Sequence, residues 1–383
     1  MYKDLSHLTQ EEQRKIADRY YAGENVNKLI EELQLDTSNS QFYKLLSETE
    51  YEGMSCPYCG GTLMIPVHPK SAWEGRIKKS IYCKQCEHKP FEPNCCCNRC
   101  KEIRLQKHLM QQKLKEAEIQ KKRQVITAEY GGKHEKIKLN TLSLQERIYL
   151  ATLTKYAFCE EQGIFLPVSD VETGNPLAPT IKYKYKIVSD LIDAHAIVVN
   201  PESDLDAFSD DCETYYLYKT SYLLNVEDDD ATDMYSLLNK IYSIDINDSI
   251  HEIEKEIVVE EAIEFLLYQL DKYGIRGNYS PGTKTYREVA NLVNDFTVNE
   301  ISYIVYLAAS SALRYRNSYN VSNTQAANSV VGSLRNYARR FKSEGWKTNF
   351  SRNFNLKQSE ISSFVFTDLL KKGEDYFYQP IDK

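Results

Sequence analysis

Residues 56–61 read Cys56-Pro57-Tyr58-Cys59-Gly60-Gly61, and this short stretch decides how the chain around it folds. The proline and the two glycines let the backbone turn back, so that its amides face the two sulfurs. Cys83 and Cys86 repeat the spacing after 23 intervening residues, slightly more than is usual between such turns. Two turns of this kind together offer four thiolates, the set that closes a tetrahedral Zn²⁺ site.

Eight of the ten cysteines lie between Cys56 and Cys100, so a second metal site is also open. Three sulfurs and one imidazole would supply it, from His88, Cys95, Cys97 and Cys100. Alternatively, Cys97 and Cys100 complete the first site and leave Cys83 and Cys86 for the other metal. Cys95 and Cys96 cannot both be ligands, because neighbouring side chains point apart. We expect a zinc ribbon over residues 51–100 with one Zn²⁺ at Cys56, Cys59, Cys83 and Cys86, and space for another.

The composition is that of an ordinary soluble protein. The chain has 383 residues, of which 42% are hydrophobic and 27% charged, enough for several modules with their own cores. No apolar run reaches the ~18–20 residues that span a bilayer, and the N-terminus lacks an apolar signal core. We therefore expect no membrane contact and a cytoplasmic location, where cysteines stay reduced and available to metals.

Charge is divided into three blocks. Residues 1–150 carry 25 Lys/Arg against 20 Asp/Glu, residues 151–270 carry 7 against 25, and residues 271–383 carry 16 against 10. Basic ends around an acidic middle favour nucleic-acid contact at the ends. The blocks could equally neutralise one another inside one fold. The acidic block itself is interpreted as a solvated or DNA-repelling surface, or as a segment that occupies the basic ends.

Three short helices are predicted in the first fifty residues. Thr9 and Glu12 form a capping box that starts the first, which Gly23 stops. The second covers about residues 26–33, and the third about residues 39–47. Their shared core should contain Ile16, Tyr20, Leu29, Ile30, Leu33, Leu35, Phe42 and Leu45.

Residues 23–46, from Gly23-Glu24-Asn25-Val26 to Tyr43-Lys44-Leu45-Leu46, resemble the helix-turn-helix of resolvase- and transposase-type DNA-binding domains. The resemblance covers about residues 9–47, and Glu31 departs from it where the family has a small residue. In that family the third helix enters the major groove. The resemblance therefore implies a DNA-facing surface made of Ser38, Asn39, Ser40, Gln41, Tyr43 and Lys44. The other interpretation is a helical cap that packs on a partner domain.

The whole chain is predicted to be mainly α and multidomain. We expect a helix-turn-helix-like unit (1–50), the zinc ribbon (51–100), a basic connecting helix (101–128), a mixed α/β acidic middle (129–249) and a helical C-terminal bundle (250–383). Residues 70–123 hold 15 Lys/Arg and 6 Asp/Glu, so the connecting helix either is simply solvated or lies along a phosphate backbone.

Basic and aromatic residues alternate between Arg314 and Phe354. Aromatic faces stack on bases while arginines hold phosphates, which makes this stretch a second candidate for nucleic-acid binding. The side chains chosen for phosphate contact are Arg335, Arg339, Arg340 and Lys342. In the ordinary alternative, the aromatics fill a helical bundle and the cations are solvated.

Catalytic motifs are absent from the sequence: it has no phosphate-binding glycine loop, dinucleotide fingerprint or nucleophile elbow. A closed four-ligand zinc site stabilises a fold and does not activate water. We predict a zinc-stabilised nucleic-acid-binding protein without catalysis of its own, of a regulatory or phage and mobile-element kind, with DNA favoured over RNA. The alternative is a protein-interaction or defence-type effector subunit that binds a partner through its acidic middle or C-terminal helices.

Overall fold

A computed structural model describes residues 2–171 and 174–381, in which the chain forms two units. The first ends at Ile119 and the second begins at Gln120. The helices of the first unit are α1 (Gln10–Tyr21), α2 (Val26–Glu32), α3 (Glu74–Ser80) and the beginning of α4 (Asn98–Tyr130). Its strands are β1 (Thr49–Glu50), β2 (Leu63–Ile65) and β3 (Tyr82–Cys83), which pair antiparallel in that order.

The first two helices form as the sequence predicts. The Thr9 side chain caps the Glu12 amide, and the Glu12 carboxylate accepts the Thr9 N–H at 2.8 Å. Gly23 then takes a φ of +98°, which ends α1 in a conformation that favours glycine. The predicted small core is confirmed. Its fully buried members are Leu5, Ile16, Ala17, Tyr20, Leu29, Leu35, Phe42 and Leu46, and the expected Ile30, Leu33 and Leu45 pack against them half-buried.

The α-helix predicted over residues 39–47 is wrong, because the segment holds only a 3₁₀ turn, Phe42–Leu45. The N–H groups of Gln41 and Phe42 both donate to the Ser38 carbonyl oxygen, at 2.9 and 3.0 Å. Short polar side chains such as those of residues 38–40 favour such turns over helix. Leu46 is already extended ahead of β1. At ~2 Å per residue the turn is about 8 Å long, so the groove-entering element of the resembled motif is not an α-helix here.

The second unit combines a helical bundle with small sheets. Its helices are α5 (Leu144–Ala157), α6 (Ile181–Asp193), α7 (Met234–Tyr242), α8 (Ile250–Lys272), α9 (Thr283–Val293), α10 (Val298–Tyr319), α11 (Asn323–Asn328), α12 (Val330–Glu344) and α13 (Glu360–Ser363). A π-helical turn (Phe364–Leu369) and a 3₁₀ turn (Gly373–Phe377) follow α13. The mainly α class is confirmed.

The described residues of this unit also form short strands: β4 (Ile137–Lys138), β5 (Phe158–Cys159), β6 (Ile164–Phe165), β7 (Ile197–Val199), β8 (Tyr222–Leu224) and β9 (Val226–Glu227). Four of them form an antiparallel sheet in the order β5-β6-β8-β7, in which Leu223 lies opposite both Ile164 and Val198. β4 pairs with β9 in parallel. The expected α/β character of the middle segment is therefore present.

The boundary expected between residues 249 and 250 needs correction. Tyr149 in α5, Leu266 in α8 and Ile304 in α10 are all fully buried in one hydrophobic core, which runs from Ile126 to Phe377. Within the bundle, α10 packs against both α8 and α12. The middle and C-terminal segments thus fold around a shared interior, which a break in charge composition does not reveal. Later in the bundle, Ser329 separates two helices, α11 and α12.

The acidic segment after β8 is bound to its own unit at two points. Asp229 pairs with Lys138, and Asp230 with Lys240 at 3.3 Å. Tyr222, in β8 just before this segment, is fully buried in the core. The stretch is therefore part of the fold as well as part of the surface. No helix within residues 2–171 and 174–381 has both the length and the apolar character needed to cross a membrane.

Core packing in the second unit predicts a large effect of one truncation. Leu266→Ala should lower its free energy of unfolding by about 2–5 kcal/mol, because the fully buried leucine leaves a cavity. Leu114→Ala, at a site 61% exposed on α4, is the matched control and should change it by less than about 0.5 kcal/mol. Urea unfolding followed by circular dichroism measures both; similar losses in the two variants would contradict the assigned core.

Candidate metal centre

The first cysteine turn closes through its own backbone. The Cys56 N–H donates to the Gly61 carbonyl oxygen, and the Cys56 carbonyl accepts from the Gly60 N–H, both at 2.9 Å. Gly60 has a φ of +71°, a left-handed conformation that glycine adopts without steric cost. The Tyr58 amide points at the Cys56 sulfur, 3.5 Å away. The turn therefore directs N–H groups at the sulfur that would carry negative charge.

The second cysteine turn has the same construction at the end of β3. The Cys83 N–H donates to the His88 carbonyl at 2.7 Å, and the Cys83 carbonyl accepts from Glu87 at 2.9 Å. Glu87 takes the left-handed position, with a φ of +58°. The Gln85 amide lies 3.4 Å from the Cys83 sulfur. The two turns have the same structure, although only the first has a glycine at the left-handed position that indicates the turn in the sequence.

Both turns bring their sulfurs to one point. The Cys59 sulfur lies 3.3 Å from that of Cys83 and 3.5 Å from that of Cys86, and the Cys56 and Cys86 sulfurs are 3.6 Å apart. Metal–sulfur bonds of about 2.3 Å in a tetrahedron place sulfurs about 3.8 Å apart. The cluster of Cys56, Cys59, Cys83 and Cys86 therefore has the dimensions of a four-thiolate metal site.

A second cluster forms around the ring of His88. Its Nδ1 lies 3.4 Å from the sulfur of Cys95, 3.6 Å from that of Cys97 and 3.5 Å from that of Cys100. These are again the edges of a tetrahedron around one ion. Cys100 stands in the first turn of α4, so this cluster anchors the beginning of that helix. The arrangement selects the first of the two predicted pairings, and Cys97 and Cys100 do not join the first site.

Cys96 belongs to neither cluster. Its side chain is exposed and its thiol lies 3.4 Å from the Asn94 carbonyl oxygen, whereas the adjacent Cys95 is buried. Of these two neighbours, Cys95 joins a cluster and Cys96 does not.

Tyr58 links the two clusters, a role that the sequence did not predict. It belongs to the first cysteine turn, yet its ring lies 4.2 Å from that of His88 and its hydroxyl 3.6 Å from the Cys100 sulfur. His88 itself closes the second turn with its carbonyl and contributes its imidazole to the other cluster. The only sequence signal for this role is an aromatic residue placed between two ligands of one turn.

The thiols of each cluster are electrostatically coupled. Burial raises the pKa of Cys83, but amides of Cys86 and Gln85 and the neighbouring thiols outweigh it and bring the pKa to about 7. Burial raises the pKa of Cys86 to about 12, and neighbouring thiols add to the increase. Thiolates this close repel one another, so they ionise together only when a cation is present. A divalent metal supplies that charge and leaves no ligand position open for a substrate.

The residues predicted to contact nucleic acid fall into two groups. In the first unit, the side chains of Ser38, Asn39, Ser40, Gln41 and Lys44 are exposed, whereas Tyr43 packs against the three-helix core. They surround the 3₁₀ turn and do not lie along one face of a helix. Ser38 and Ser40 bond to each other through their hydroxyls, at 3.2 Å.

On α12, most of the predicted phosphate contacts already have acidic partners. Arg335 pairs with Glu288, Arg340 with Glu344 and Lys342 with Asp295. Among the residues that the structure describes, Arg339 alone of the four predicted cations has no acidic partner. The interleaved aromatics Tyr337, Phe341, Trp346 and Phe350 pack against the core of the bundle. This pattern matches the ordinary interpretation of an amphipathic helix.

Trp73 is a surface feature that the sequence did not predict. Its side chain is 73% exposed, far more than that of a core tryptophan. A Cβ on Gly75 would stand 2.6 Å from the indole, so the ring lies directly over the glycine backbone. Arg76 and Lys79 follow it along α3, exposed and without an ion pair in the part of the chain described. The sequence signal for this surface feature was a tryptophan located between two cations, Lys70 and Arg76.

No protein-family model, curated protein or solved structure matches this chain.

Metal content gives a direct test of the two clusters. The purified chain should contain two divalent ions per molecule, measured by elemental analysis after dialysis. Cys95→Ser should retain one, because a hydroxyl is a poor substitute for a thiolate and the first cluster stays complete. Cys96→Ser is the matched control and should retain two. A single ion in the unaltered chain, or a loss in Cys96→Ser, would disprove the ligand sets.

Proposed function

We propose that this chain is a zinc-stabilised nucleic-acid-binding protein without catalysis of its own, a regulatory or phage and mobile-element factor of the reducing cytoplasm. The exposed Trp73 beside cations that have no ion pair in the described part of the chain is the observation that carries the proposal. The metal clusters hold the ribbon that presents this tryptophan. All ten cysteines are free thiols, as metal binding requires.

Zinc is the metal that suits both ligand sets. Soft thiolates select Zn²⁺, Cu⁺ or iron–sulfur clusters, and a tetrahedral set of sulfurs with one imidazole is typical of structural zinc. Sites with four protein ligands contribute folding energy directly. In this proposal the ions stabilise the ribbon and take no part in a reaction.

Charge favours the ribbon and α4 over the helix-turn-helix-like segment as the contact surface. Residues 1–50 carry 6 Lys/Arg and 10 Asp/Glu, and a net negative surface repels phosphate. Residues 98–115, at the start of α4, carry six Lys/Arg and the single acid Glu102. Every residue of that stretch except Cys100 is exposed. The phosphates of a bound nucleic acid would displace counterions from this stretch of α4, and this release favours binding.

Trp73 adds a stacking surface, which charged residues alone do not provide. An indole held flat and open offers a stacking face to an unpaired base, while Arg76 and Lys79 lie within one to two turns along the helix to hold the backbone. We therefore propose single-stranded nucleic acid as the target.

A protein partner is the second candidate, and one observation favours it. Ile103 and Leu114 lie eleven residues apart on α4 in the first unit, with Met110 between them, and all three are 41–65% exposed. An eleven-residue repeat keeps one apolar stripe on a helix and suits packing against another helix. Under this candidate the ribbon is purely structural.

Tryptophan fluorescence can test the main proposal, because the chain has only two tryptophans. In a Trp346→Phe background, oligothymidine should quench the emission of Trp73, and binding should weaken as salt increases. Trp73→Ala should reduce affinity about tenfold, since stacking contributes ~1–3 kcal/mol per base. Trp346→Phe alone should bind like the unaltered chain.

Two further variants assign the binding surface. Changing both Arg76 and Lys79 to alanine should lower the slope of log affinity against log salt by about two, because each cation neutralises one phosphate in the complex. A loss of binding in Lys44→Ala and not in Trp73→Ala would instead place the nucleic acid on the helix-turn-helix-like segment. No binding at low salt would reject nucleic acid and favour the protein partner.

A further inference from the structure

Helix α8 carries several glutamates that are buried together with their own donors. Glu254 accepts from Lys372 at 2.6 Å, and Glu260 accepts from Thr180. Glu261 accepts from Arg352 at 3.0 Å and from a tyrosine hydroxyl at 2.9 Å. A buried carboxylate is tolerated only when such partners replace its water. Each of these buried glutamates thus has a donor of its own, as expected for an acid with a structural role.

Glu264, on the same helix, departs from that pattern. It is half-buried, and no donor to its carboxyl is found among residues 2–171 and 174–381. Burial raises its pKa to about 8; the charge of Glu261 adds to the increase, and Arg352 only partly offsets it. At neutral pH most of this carboxyl is therefore protonated, and a cationic ligand that pairs with it would release the proton.

A small pocket of about 30 Å³ lies between Glu264, Glu261 and Arg352. The Nε of Arg352 is buried there without a hydrogen-bond partner. A volume above ~10–15 Å³ admits one water. The Glu264 carboxyl and the Arg352 Nε thus border a pocket that holds little more than one water. A larger ligand must approach Glu264 from a different side.

Glu264 also forms part of the wall of a cavity of about 460 Å³. Small-molecule sites have volumes of roughly 300–1,000 Å³. Its apolar wall includes Ile263 and Leu267, and its aromatic wall includes Tyr286. The cavity can therefore enclose the apolar body of a ligand next to the free carboxyl.

The other charged groups that line this cavity already have contacts. Asp271 pairs with Arg276, and the Tyr268 hydroxyl accepts from Asn355 at 2.9 Å. Lys182 holds its ammonium 4.1 Å from the centre of the Tyr286 ring and keeps its positive charge there. Among the described residues of this wall the acids are Asp271 and Glu264, so Glu264 is the one left to pair with a ligand cation.

We propose that this cleft binds a small organic cation, an amine or ammonium with an apolar body, whose nitrogen pairs with the carboxylate of Glu264. The body lies against Ile263, Leu267 and the tyrosine wall. This site is independent of the metal clusters and of nucleic-acid binding, since all of its residues belong to the second unit.

Isothermal titration of the full chain tests the site with three probes of similar shape. Phenethylamine should bind, whereas neutral phenethyl alcohol and anionic hydrocinnamate should bind at least about tenfold more weakly, because only the amine makes a charge-assisted hydrogen bond. Equal binding of the three, or no binding of the amine, would overturn the proposal.

Variants on the same helix identify the partner. Glu264→Gln should weaken amine binding at least about tenfold. Glu252→Gln, at an exposed position with a side chain 79% accessible, should leave it unchanged. Circular dichroism of Glu264→Gln establishes that the variant is folded. Unchanged amine affinity in a folded Glu264→Gln chain would also overturn the proposal.

Discussion

Metal coordination is the interaction on which the ribbon would depend. Among the described residues, its hydrophobic cluster contains four buried members, Cys56, Leu63, Ile81 and Cys83, and two of these belong to the first cysteine cluster themselves. Burying so little apolar surface does not offset the entropy of ordering the chain. Eight ligands around two ions would supply the missing free energy. The second cluster also fixes where α4 begins, because Cys100 lies in its first turn.

Local chemistry was readable from the sequence wherever a side chain acts on its near neighbours. Thr9 and Glu12 start α1 by the predicted capping box. The Cys-x-x-Cys spacing also gave the preferred ligand grouping, because such a turn closes within a few residues, although it left the alternative pairing open. The α-helix expected over 39–47 does not form, because residues 38–40 favour a turn and the chain is already extended ahead of β1. These two constraints leave a very short segment in which a helix could form.

Long-range features could not be read in this way. The shared interior of residues 129–249 and 250–383 arises from packing of α5 against α8, and sequence periodicity does not specify which helices meet. Tyr58 reaches the second cluster only because residues far apart in the sequence, Tyr58 and Cys100, lie side by side in the fold. Similarly, the basic run on α12 was visible, but its acidic partners Glu288 and Asp295 lie on or beside another helix, and they change what the run is able to do.

What a charged group can bind depends on whether its partners are already present. Exposed ion pairs such as that of Lys342 contribute only ~0–1 kcal/mol, yet a phosphate must still displace the existing acid before it gains anything. The same reasoning separates the two kinds of site in this chain. Every ligand of the cysteine clusters would be used by its own ion, so these sites are saturated and stabilise the fold. Trp73 has an exposed ring face, and Glu264 has a carboxyl without a donor among the described residues. A ligand can therefore gain free energy of binding at these two groups.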